Sequence, residues 1–292
     1  MIQPREGRDC SFARPVKGRP SEPTVSIEVH DYHKSYGSTI AVAGITFRVA
    51  AGEILGLVGP NGAGKTTTLR ALAGILAPTR GRLLIDGHDL ALDPVAAKSA
   101  LAYVPDEPHL FESLTVWEHL RFVALAYRVG DWTARADRLL EQFELEGKRD
   151  ALASELSRGM RQKVAICCGY LHDPKAILLD EPLTGLDPRG IRTMQDSIRR
   201  RAESGTALIV SSHLLSLVED LCTSILVLHR GRQLLHGPLA ELRRAAEDGR
   251  HETLEELFFR LTESAPEQVI SDQSSVISDQ SPPAPPRANA DY

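Results

Sequence analysis

The sequence predicts an α/β fold with a mostly parallel β-sheet core, an antiparallel β piece near its start and an inserted helical subdomain. Short apolar runs alternate with helical patterns between residues 158 and 228, which is typical of a parallel sheet with helices on both faces. Alternating apolar and polar residues between positions 27 and 49 predict the antiparallel strands. Apolar residues at helical spacing between positions 115 and 145 predict the inserted helices.

The strands near the start of the chain follow from their patterns. Two half-exposed strands are predicted by the alternating apolar residues Ile27, Val29 and Tyr32, and then Ile45, Phe47 and Val49. The apolar run 53–58 predicts a buried strand, and residues 67–73 predict the helix that follows it. Residues 82–85 predict a strand that ends in the turn pair Asp86-Gly87.

Capping residues mark where the later helices begin. Thr115 and Glu118 have the spacing of a capping box, and Asp131 is predicted to cap the helix that carries Leu139, Leu140 and Phe143. The remaining predicted elements are a helix over 158–171, a strand over 176–179, a helix capped by Asp187 with Pro188 at its first position, a strand over 207–211, a helix after His213 and a strand over 224–228.

Composition divides the chain into three parts. Residues 1–23 are rich in Pro, Arg and Gly and are predicted to be a disordered leader. Residues 24–263 are predicted to form the folded domain, with a helical subdomain over about 112–172. Residues 264–292 contain a repeated Val-Ile-Ser-Asp-Gln-Ser segment and a Pro-rich stretch, which predict a disordered low-complexity tail. Near the end of the domain, one helix stripe is expected to pack on the domain itself, with a partner-facing role as the alternative, at Leu254, Leu257, Phe258 and Leu261.

Overall composition excludes several classes of protein. The net charge of −5 gives no reason to expect nucleic-acid binding. The sequence contains no run of 18 apolar residues and begins with no secretory signal pattern, so a membrane-spanning or secreted chain is not expected. The four cysteines lack zinc-binding spacing and are expected to be reduced thiols in a cytoplasmic protein.

A glycine-rich loop lies between the predicted strand over 53–58 and the helix that follows. It fits the phosphate-loop pattern G-x-x-x-x-G-K-[ST] with Gly59, Pro60, Asn61, Gly62, Ala63, Gly64, Lys65 and Thr66, and Thr67 comes directly after it. Glycines let backbone N–H groups curl around phosphate oxygens, and a helix N-terminus favours negative charge. Lys65 is expected to reach the β- and γ-phosphates, and the Thr66 hydroxyl to bind Mg²⁺. The alternative, a turn without a ligand, does not explain the strand–loop–helix context.

Two carboxylates follow the predicted strand over 176–179. Parallel sheets bind ligands at the carboxyl ends of their strands, which is where Asp180 and Glu181 fall. Asp180 is expected to hold Mg²⁺ directly or through water, and Glu181 to accept a proton from a water aligned on the γ-phosphate. Solvated acids at a strand exit are the alternative, which the phosphate loop on the same sheet makes less favourable.

Further motifs resemble those of ABC-type ATPases. Residues 156–164 resemble the family's signature sequence, and Tyr36 precedes the phosphate loop where the family stacks adenine on an aromatic side chain. Residues 185–188, which include Asp187, match the D-loop, and His213 matches the switch histidine. These motifs cover residues 25–230 in the family's order. The sequences of residues 103–108 and 253–257 resemble those of nucleotide-binding subunits of ABC-2-type exporters.

The resemblance implies a P-loop NTPase of ABC type with ATP and Mg²⁺ as cofactors. It assigns catalysis to Glu181 and His213, and it places Ser157 and Gly159 of one subunit against the γ-phosphate bound by the other. It therefore implies a homodimer or pseudo-dimer that closes around MgATP and opens after hydrolysis. It also implies a separately encoded integral membrane permease as partner, most simply for export, with this chain peripheral on the cytoplasmic face of the membrane.

The sequence is also compatible with two other functions. One is a non-transport ABC ATPase that acts as a nucleotide switch on a soluble complex, although such relatives typically carry tandem cassettes, long coiled coils or zinc modules. The other is a regulatory subunit that hydrolyses ATP poorly, against which Glu181 and His213 argue.

Three residues depart from the family pattern, one at position 106 and two in the signature. Asp106 stands where the family usually has Gln, and its carboxylate can still contact Mg²⁺ while adding negative charge near the γ-phosphate. In the signature, Arg158 replaces a common Gly and Met160 a common Gln. The Arg158 side chain is expected to be solvated.

Overall fold

A computed structural model describes residues 25–213, 215–247 and 256. The predicted leader over 1–23, the tail over 264–292 and the apolar stripe between positions 254 and 261 lie outside the described residues. Within the described part of the chain, no helix is both long enough and apolar enough to cross a lipid bilayer.

Ten strands and eight α-helices make up the described structure. The strands are β1 Val25–Tyr36, β2 Thr39–Ala50, β3 Ile54–Val58, β4 Arg80–Ile85, β5 His88–Asp89, β6 Leu101–Val104, β7 Ala176–Asp180, β8 Ala207–Ser212, β9 Ser224–His229 and β10 Arg232–Pro238. The helices are α1 Lys65–Leu72, α2 Pro94–Ser99, α3 Val116–Ala126, α4 Trp132–Gln142, α5 Arg158–Leu171, α6 Pro188–Glu203, α7 Leu215–Leu221 and α8 Leu239–Glu247. Short 3₁₀ turns at Glu146–Lys148 and Ala153–Glu155 lie between α4 and α5.

These strands form two sheets. The larger has the order β10-β9-β3-β8-β7-β6, in which only the edge strand β10 runs antiparallel to its neighbour. The smaller sheet has the order β2-β1-β4-β5 and is antiparallel throughout. The predicted α/β class, with a mostly parallel core and an antiparallel piece, is confirmed.

The antiparallel sheet forms where the alternation predicts it. The six alternating residues of β1 and β2 are all buried, and the register pairs Ile27 with Val49 and Val29 with Phe47. The predicted turn after β4 has positive φ at both Asp86 and Gly87, 49° and 78°, as a two-residue hairpin turn requires. Strand β5 then pairs back onto β4.

The parallel sheet is covered on both faces, because successive side chains of a strand point to opposite sides. On β3, Leu55 and Leu57 enter a core shared with the antiparallel sheet and α1. Ile54 and Val58 enter a second core that contains residues of α3 to α7. The central strands β3, β7 and β8 are therefore buried and apolar over most of their length, as buried parallel strands are, and polar residues occur only at the carboxyl ends of β7 and β8.

The inserted helices α3, α4 and α5 pack on one another through the second core. The capping box at the start of α3 is present, with Thr115 N donating to Glu118 Oε2 over 2.8 Å and Glu118 N donating to Thr115 Oγ1 over 3.2 Å. Asp131 does occupy the N-cap of α4. Its φ of 44° is left-handed, however, and its side chain accepts no capping hydrogen bond, so the prediction that it caps the helix is wrong.

Five described strands and α-helices were not anticipated by the sequence patterns: α2, β5, β6, β10 and α8. Helix α1 begins at Lys65, two residues before the predicted start at position 67, because Gly64 takes the N-cap position with a φ of 103°. Of the described cysteines, Cys167 and Cys222 are buried and Cys168 is partly buried, and none forms a disulfide.

Candidate functional site

The carboxyl ends of three adjacent parallel strands bring the candidate residues together. In the sheet, β3 lies next to β8, and β8 lies next to β7. The register pairs Val58 with Ser212 and Asp180 with Ser211. The loop that follows β3 and the acids that end β7 therefore lie at one edge of the sheet, where α/β proteins bind ligands.

The loop after β3 has a backbone that depends on its glycines. Gly62 and Gly64 have backbone φ angles of 81° and 103°, which residues other than glycine rarely adopt. A Cβ added at Gly59 would lie 2.3 Å from Leu228 O, and one added at Gly64 would lie 2.9 Å from Ala41 O. Gly59 and Gly64 therefore allow close approach to neighbouring backbone, and Gly62 and Gly64 allow the curved path.

Lys65 is the cation of this loop. Its side chain is 7% exposed, and its Nζ donates to Gly59 O over 2.6 Å and to Pro60 O over 3.4 Å. Burial lowers the pKa of Lys65, while the charges of Glu181 and Asp180 oppose that shift. The lysine thus folds back onto the loop and holds its charge beside the cleft.

A cleft of about 260 Å³ opens over the loop. Its lining residues are Ala41, Pro60, Asn61, Gly62, Ala63, Gly64, Lys65, Thr66, Thr67, Asp106, Asp180 and Glu181. This lining combines a glycine cradle, a lysine and the N-terminus of α1 with hydroxyl and carboxylate oxygens. The glycine cradle, the lysine and the helix N-terminus suit a polyphosphate. The oxygens of Thr66 and Asp180 are the type of ligand that Mg²⁺ prefers.

Asp180 is held by three hydroxyl groups. Its Oδ1 accepts from Ser211 Oγ at 2.6 Å and from Thr66 Oγ1 at 3.3 Å, and its Oδ2 accepts from Tyr103 OH at 3.4 Å. The residue is 2% exposed. Burial and the neighbouring Asp180 charge raise the pKa of Tyr103 to about 12, so the phenol remains a donor. These bonds fix the carboxylate beside Thr66.

Glu181 adopts a backbone conformation that is unusual for its type. Its φ is 46°, in the left-handed region, and its N–H donates to Ser211 Oγ over 3.0 Å. Its Oε2 lies 2.9 Å from His213 Nδ1. The structure therefore brings together Glu181 and His213, which are 32 residues apart in sequence.

Sequence reasoning missed two residues of this site, Ser211 and Tyr103. Ser211 bonds to both Asp180 and the backbone of Glu181, and Tyr103 reaches Asp180 from β6. A signal was available, because each is a polar side chain near the carboxyl end of an apolar strand. Its meaning depends on strand order, which the sequence does not state.

Asp106 lines the cleft and forms an ion pair. Arg158 Nη2 donates to Asp106 Oδ1 over 3.2 Å, with the two side chains 50% and 42% exposed respectively. Arg158 is exposed to solvent as expected, but it also forms an ion pair that the sequence did not predict. Its partner follows β6, a strand that the sequence patterns did not reveal.

The signature and D-loop residues contact each other and not the cleft of their own chain. Ser157 caps α5, its Oγ accepting from Met160 N at 3.3 Å, and Asp187 caps α6 through Gly190 N at 2.9 Å. The cleft lining includes none of Ser157, Gly159 and Asp187, all of which the structure describes. A Cβ added at Gly159 would lie 2.8 Å from the carbonyl oxygen of residue 185, so this glycine permits close packing of the two segments.

Tyr36 ends strand β1 with a half-exposed ring. Lys34 Nζ lies 5.0 Å from the centroid of that ring. The phosphate cleft does not include Tyr36 in its lining. An exposed aromatic face is available here, outside the part of the cleft that the glycine loop forms.

A family model and two known proteins are similar to this chain. The model described as ABC transporter matches residues 42–184. The chain is 35% identical over 219 residues to the ABC-type transporter ATP-binding protein EcsA of Bacillus subtilis strain 168, a match that covers 74% of this chain and 89% of that protein. It is 36% identical over 217 residues to the Nod factor export ATP-binding protein I of Paraburkholderia xenovorans strain LB400, covering 74% and 71% respectively.

A solved structure is similar over most of the described fold. It is that of an ATP-binding subunit of an ABC transporter, with a TM-score of 0.77 and 36% sequence identity. The match covers 81% of this chain and 99% of that one. The motifs at the cleft are therefore accompanied by similarity across the whole domain.

Proposed function

The chain belongs to the ABC transporter family as an ATP-binding, ATP-hydrolysing subunit, and we propose that it binds MgATP in the cleft over the phosphate loop, dimerises around it and drives a separately encoded membrane permease. The observation that carries this proposal is the joint placement of the loop lysine, the Asp180 and Glu181 carboxylates and His213 at one sheet edge. Each has the chemistry that ATP hydrolysis requires there.

The phosphate loop and the acid at the end of β7 are the proposed MgATP ligands. Lys65 would pair with the β- and γ-phosphates, and the N-terminus of α1 would favour their negative charge. Thr66 and Asp180, whose oxygens lie 3.3 Å apart, would hold Mg²⁺. When bound, the metal supplies charge neutralisation on the β- and γ-oxygens.

Glu181 is the proposed general base and His213 its positioning partner. The carboxylate lines the cleft, and its Oε2 contacts His213 Nδ1. A carboxylate in this place would take the proton of an attacking water, and the histidine would orient it. The left-handed φ of Glu181, held by Ser211, is the kind of local strain that persists at functional sites.

The proposed dimer completes the site with residues that one chain keeps away from its own cleft. Ser157 and Gly159 lie at the N-terminus of α5, which offers N–H donors and a positive dipole end. In a second copy these groups would meet the γ-phosphate, together with the D-loop that contains Asp187. Bound ATP would then form part of the interface, and its hydrolysis would favour the open state. Tyr36 is the proposed adenine contact.

An apolar surface formed by α3 and the loop before it is the proposed permease contact. Phe111, Phe122 and Leu125 are exposed, and the rings of Phe111 and Phe122 meet edge to face with centroids 5.7 Å apart. Beside them, a cleft of about 300 Å³ is lined by acidic and basic side chains that include Glu107 and Arg161. Apolar anchors bordered by charge suit a stable protein partner.

Two further features of the proposal depend on the relatives. One relative's name describes an export ATP-binding protein, and this favours export as the direction of transport. A subunit that meets cytoplasmic ATP and a membrane permease would lie on the cytoplasmic face of the membrane. The relatives described above are transporter ATP-binding proteins, and they do not support a nucleotide switch on a soluble complex.

The test is retrieval of the permease from detergent-solubilised membranes with the full chain as bait. We expect a multi-helix membrane protein that raises MgATP turnover when both are reconstituted in vesicles. Phe122→Glu should lose this protein and the stimulation, while an exposed charge change at Arg199→Glu should keep both. Retrieval of a soluble assembly alone, with no effect of vesicles on turnover, would contradict the proposal.

A further inference from the structure

Two of the side chains that depart from the ABC pattern, Asp106 and Arg158, contact each other beside the phosphate cleft. Arg158 Nη2 donates to Asp106 Oδ1 over 3.2 Å, although the residues are 52 positions apart. Asp106 follows β6, whereas Arg158 begins α5. The ion pair therefore connects the parallel sheet to the first turn of the signature helix.

The charges around the cleft explain why this contact matters. The charged side chains that line it are one cation, Lys65, and three acids, Asp106, Asp180 and Glu181. Asp180 is stabilised by three hydroxyl donors, and Glu181 contacts His213. In the described part of the chain, the charged partner of Asp106 is Arg158. Without that guanidinium, the third acid would face a polyphosphate with its full charge.

The arginine is held in place by packing as well as by charge. A Cβ added at Gly185 would lie 3.2 Å from Arg158 Cδ and 3.5 Å from its Cγ. The aliphatic stem of the arginine therefore lies against the loop after β7, over a residue with no side chain. Such packing keeps a long side chain in one orientation and lowers the entropy lost in forming the ion pair.

We propose that Arg158 offsets the negative charge of Asp106. Because the ion pair has no net charge, the cleft can bind a polyphosphate although it is lined by one acid more than the family pattern has. This inference rests on the proposed MgATP site. It makes Arg158 a positioning and charge-compensating residue of nucleotide binding within its own chain, and it explains the departures at positions 106 and 158 together.

The test is a double-mutant cycle read out by nucleotide affinity. Arg158→Gln, Asp106→Asn and the double variant are titrated calorimetrically with a slowly hydrolysed ATP analogue and Mg²⁺. Arg158→Gln should bind about threefold more weakly than wild type, within the range measured for exposed ion pairs. Asp106→Asn should bind at least as tightly as wild type, and the double variant should match Asp106→Asn, because no unpaired acid remains.

Two conditions sharpen the test. In EDTA the nucleotide keeps more negative charge, so the loss caused by Arg158→Gln should increase. Raising the ionic strength from about 0.1 M to about 1 M shortens the Debye length from ~10 Å to ~3 Å and should reduce the loss. Arg199→Gln is the matched control, because Arg199 pairs with Asp196 over the same 3.2 Å on α6 and should leave affinity unchanged.

The inference would be overturned if Arg158→Gln lowered nucleotide affinity equally in the wild-type chain and in the chain that already carries Asp106→Asn. It would also be overturned if Arg158→Gln caused no loss of affinity at low ionic strength. Equal melting temperatures of the variants exclude unfolding as the cause of a loss. If wild type itself fails to bind the analogue, the proposed MgATP site fails and this inference with it. If every variant binds the analogue but the effects of the Arg158 and Asp106 substitutions are additive, only the proposed role of Arg158 is overturned.

Discussion

At the scale of single residues, Lys65 is the group on which phosphate binding depends most directly. Lys65→Ala removes a charged hydrogen-bond donor worth about 1.5–3 kcal/mol, so nucleotide affinity should fall roughly ten- to a hundredfold. Calorimetric titration with a slowly hydrolysed ATP analogue measures this change. Lys98→Ala, an exposed lysine change on α2, is the control. Unchanged affinity in Lys65→Ala would mean that the loop does not cradle phosphate.

Ser211 tests whether the two acids depend on a shared support. Its hydroxyl donates to Asp180 and accepts from the Glu181 N–H, so Ser211→Ala removes both contacts. Loss of a hydrogen bond to a charged group costs about 1.5–3 kcal/mol, which corresponds to a fall in kcat of roughly ten- to a hundredfold if it acts on the transition state. Nucleotide affinity should change much less, and kcat measured beside affinity separates the two effects.

The control for that change is Ser197→Ala. Ser197 is also buried, and its hydroxyl donates to Met194 O within α6, away from the cleft. Its loss should lower the melting temperature without lowering kcat. Normal kcat in Ser211→Ala would show that Asp180 and Glu181 are positioned without it.

The site residues that could be predicted from the sequence are those identified by their immediate sequence neighbours. The phosphate loop identifies Lys65 and Thr66 by their spacing, and the acids are marked by the apolar strand before them. The roles of Ser211 and Tyr103 were not predictable, because both depend on which strands are neighbours. The pairing of Arg158 was also missed, since nothing local links it to an acid 52 residues earlier.

At the scale of secondary-structure elements, the signature helix α5 has a function that its cap should reveal. Ser157→Ala removes the N-cap, which costs about 1 kcal/mol, or roughly 2–4 °C in melting temperature for a domain of this size. It should also lower MgATP turnover, because the same hydroxyl is the proposed contact to the partner subunit's phosphate. Scanning calorimetry and steady-state ATPase assays measure the two effects.

Helix α3 provides the comparison. Thr115→Ala removes a capping box of similar strength from a helix without a proposed phosphate contact. Its melting temperature should fall by a similar amount, while turnover of the isolated chain should not change. Equal turnover in both variants would show that the start of α5 acts only as a structural cap.

Elements with a clear apolar pattern or a cap were predictable, whereas the shortest elements were not, and β10 and α8 were missed although they have seven and nine residues. The alternation in β1 and β2 and the caps of α3 and α6 identified their elements. Strand β6 has four residues and helix α2 has six, so neither is long enough to establish a period. Asp131 illustrates the opposite error, because a favourable residue type at an N-cap still makes no bond when its backbone is left-handed.

At the scale of the whole molecule, the proposed function depends on two chains sharing the nucleotide. One chain brings the phosphate loop, Asp180, Glu181 and His213 to one edge of its sheet. Its Ser157 and Gly159 do not line the cleft over the phosphate loop. A site completed by a second copy would explain how hydrolysis is converted into movement, since loss of the shared phosphate contact would favour opening. The dimer is therefore the central claim.

The most direct measurement of that claim is the mass of Glu181→Gln with ATP and Mg²⁺, obtained by size-exclusion chromatography with light scattering. Loss of a general base should lower turnover by roughly 10²–10⁴-fold while binding persists, so the ATP-bound form should accumulate. We expect a mass twice the 32.0 kDa of one chain with ATP, and a single-chain mass without it or when Lys65→Ala is added. A Glu181→Gln chain that binds ATP and remains at the single-chain mass would contradict the account.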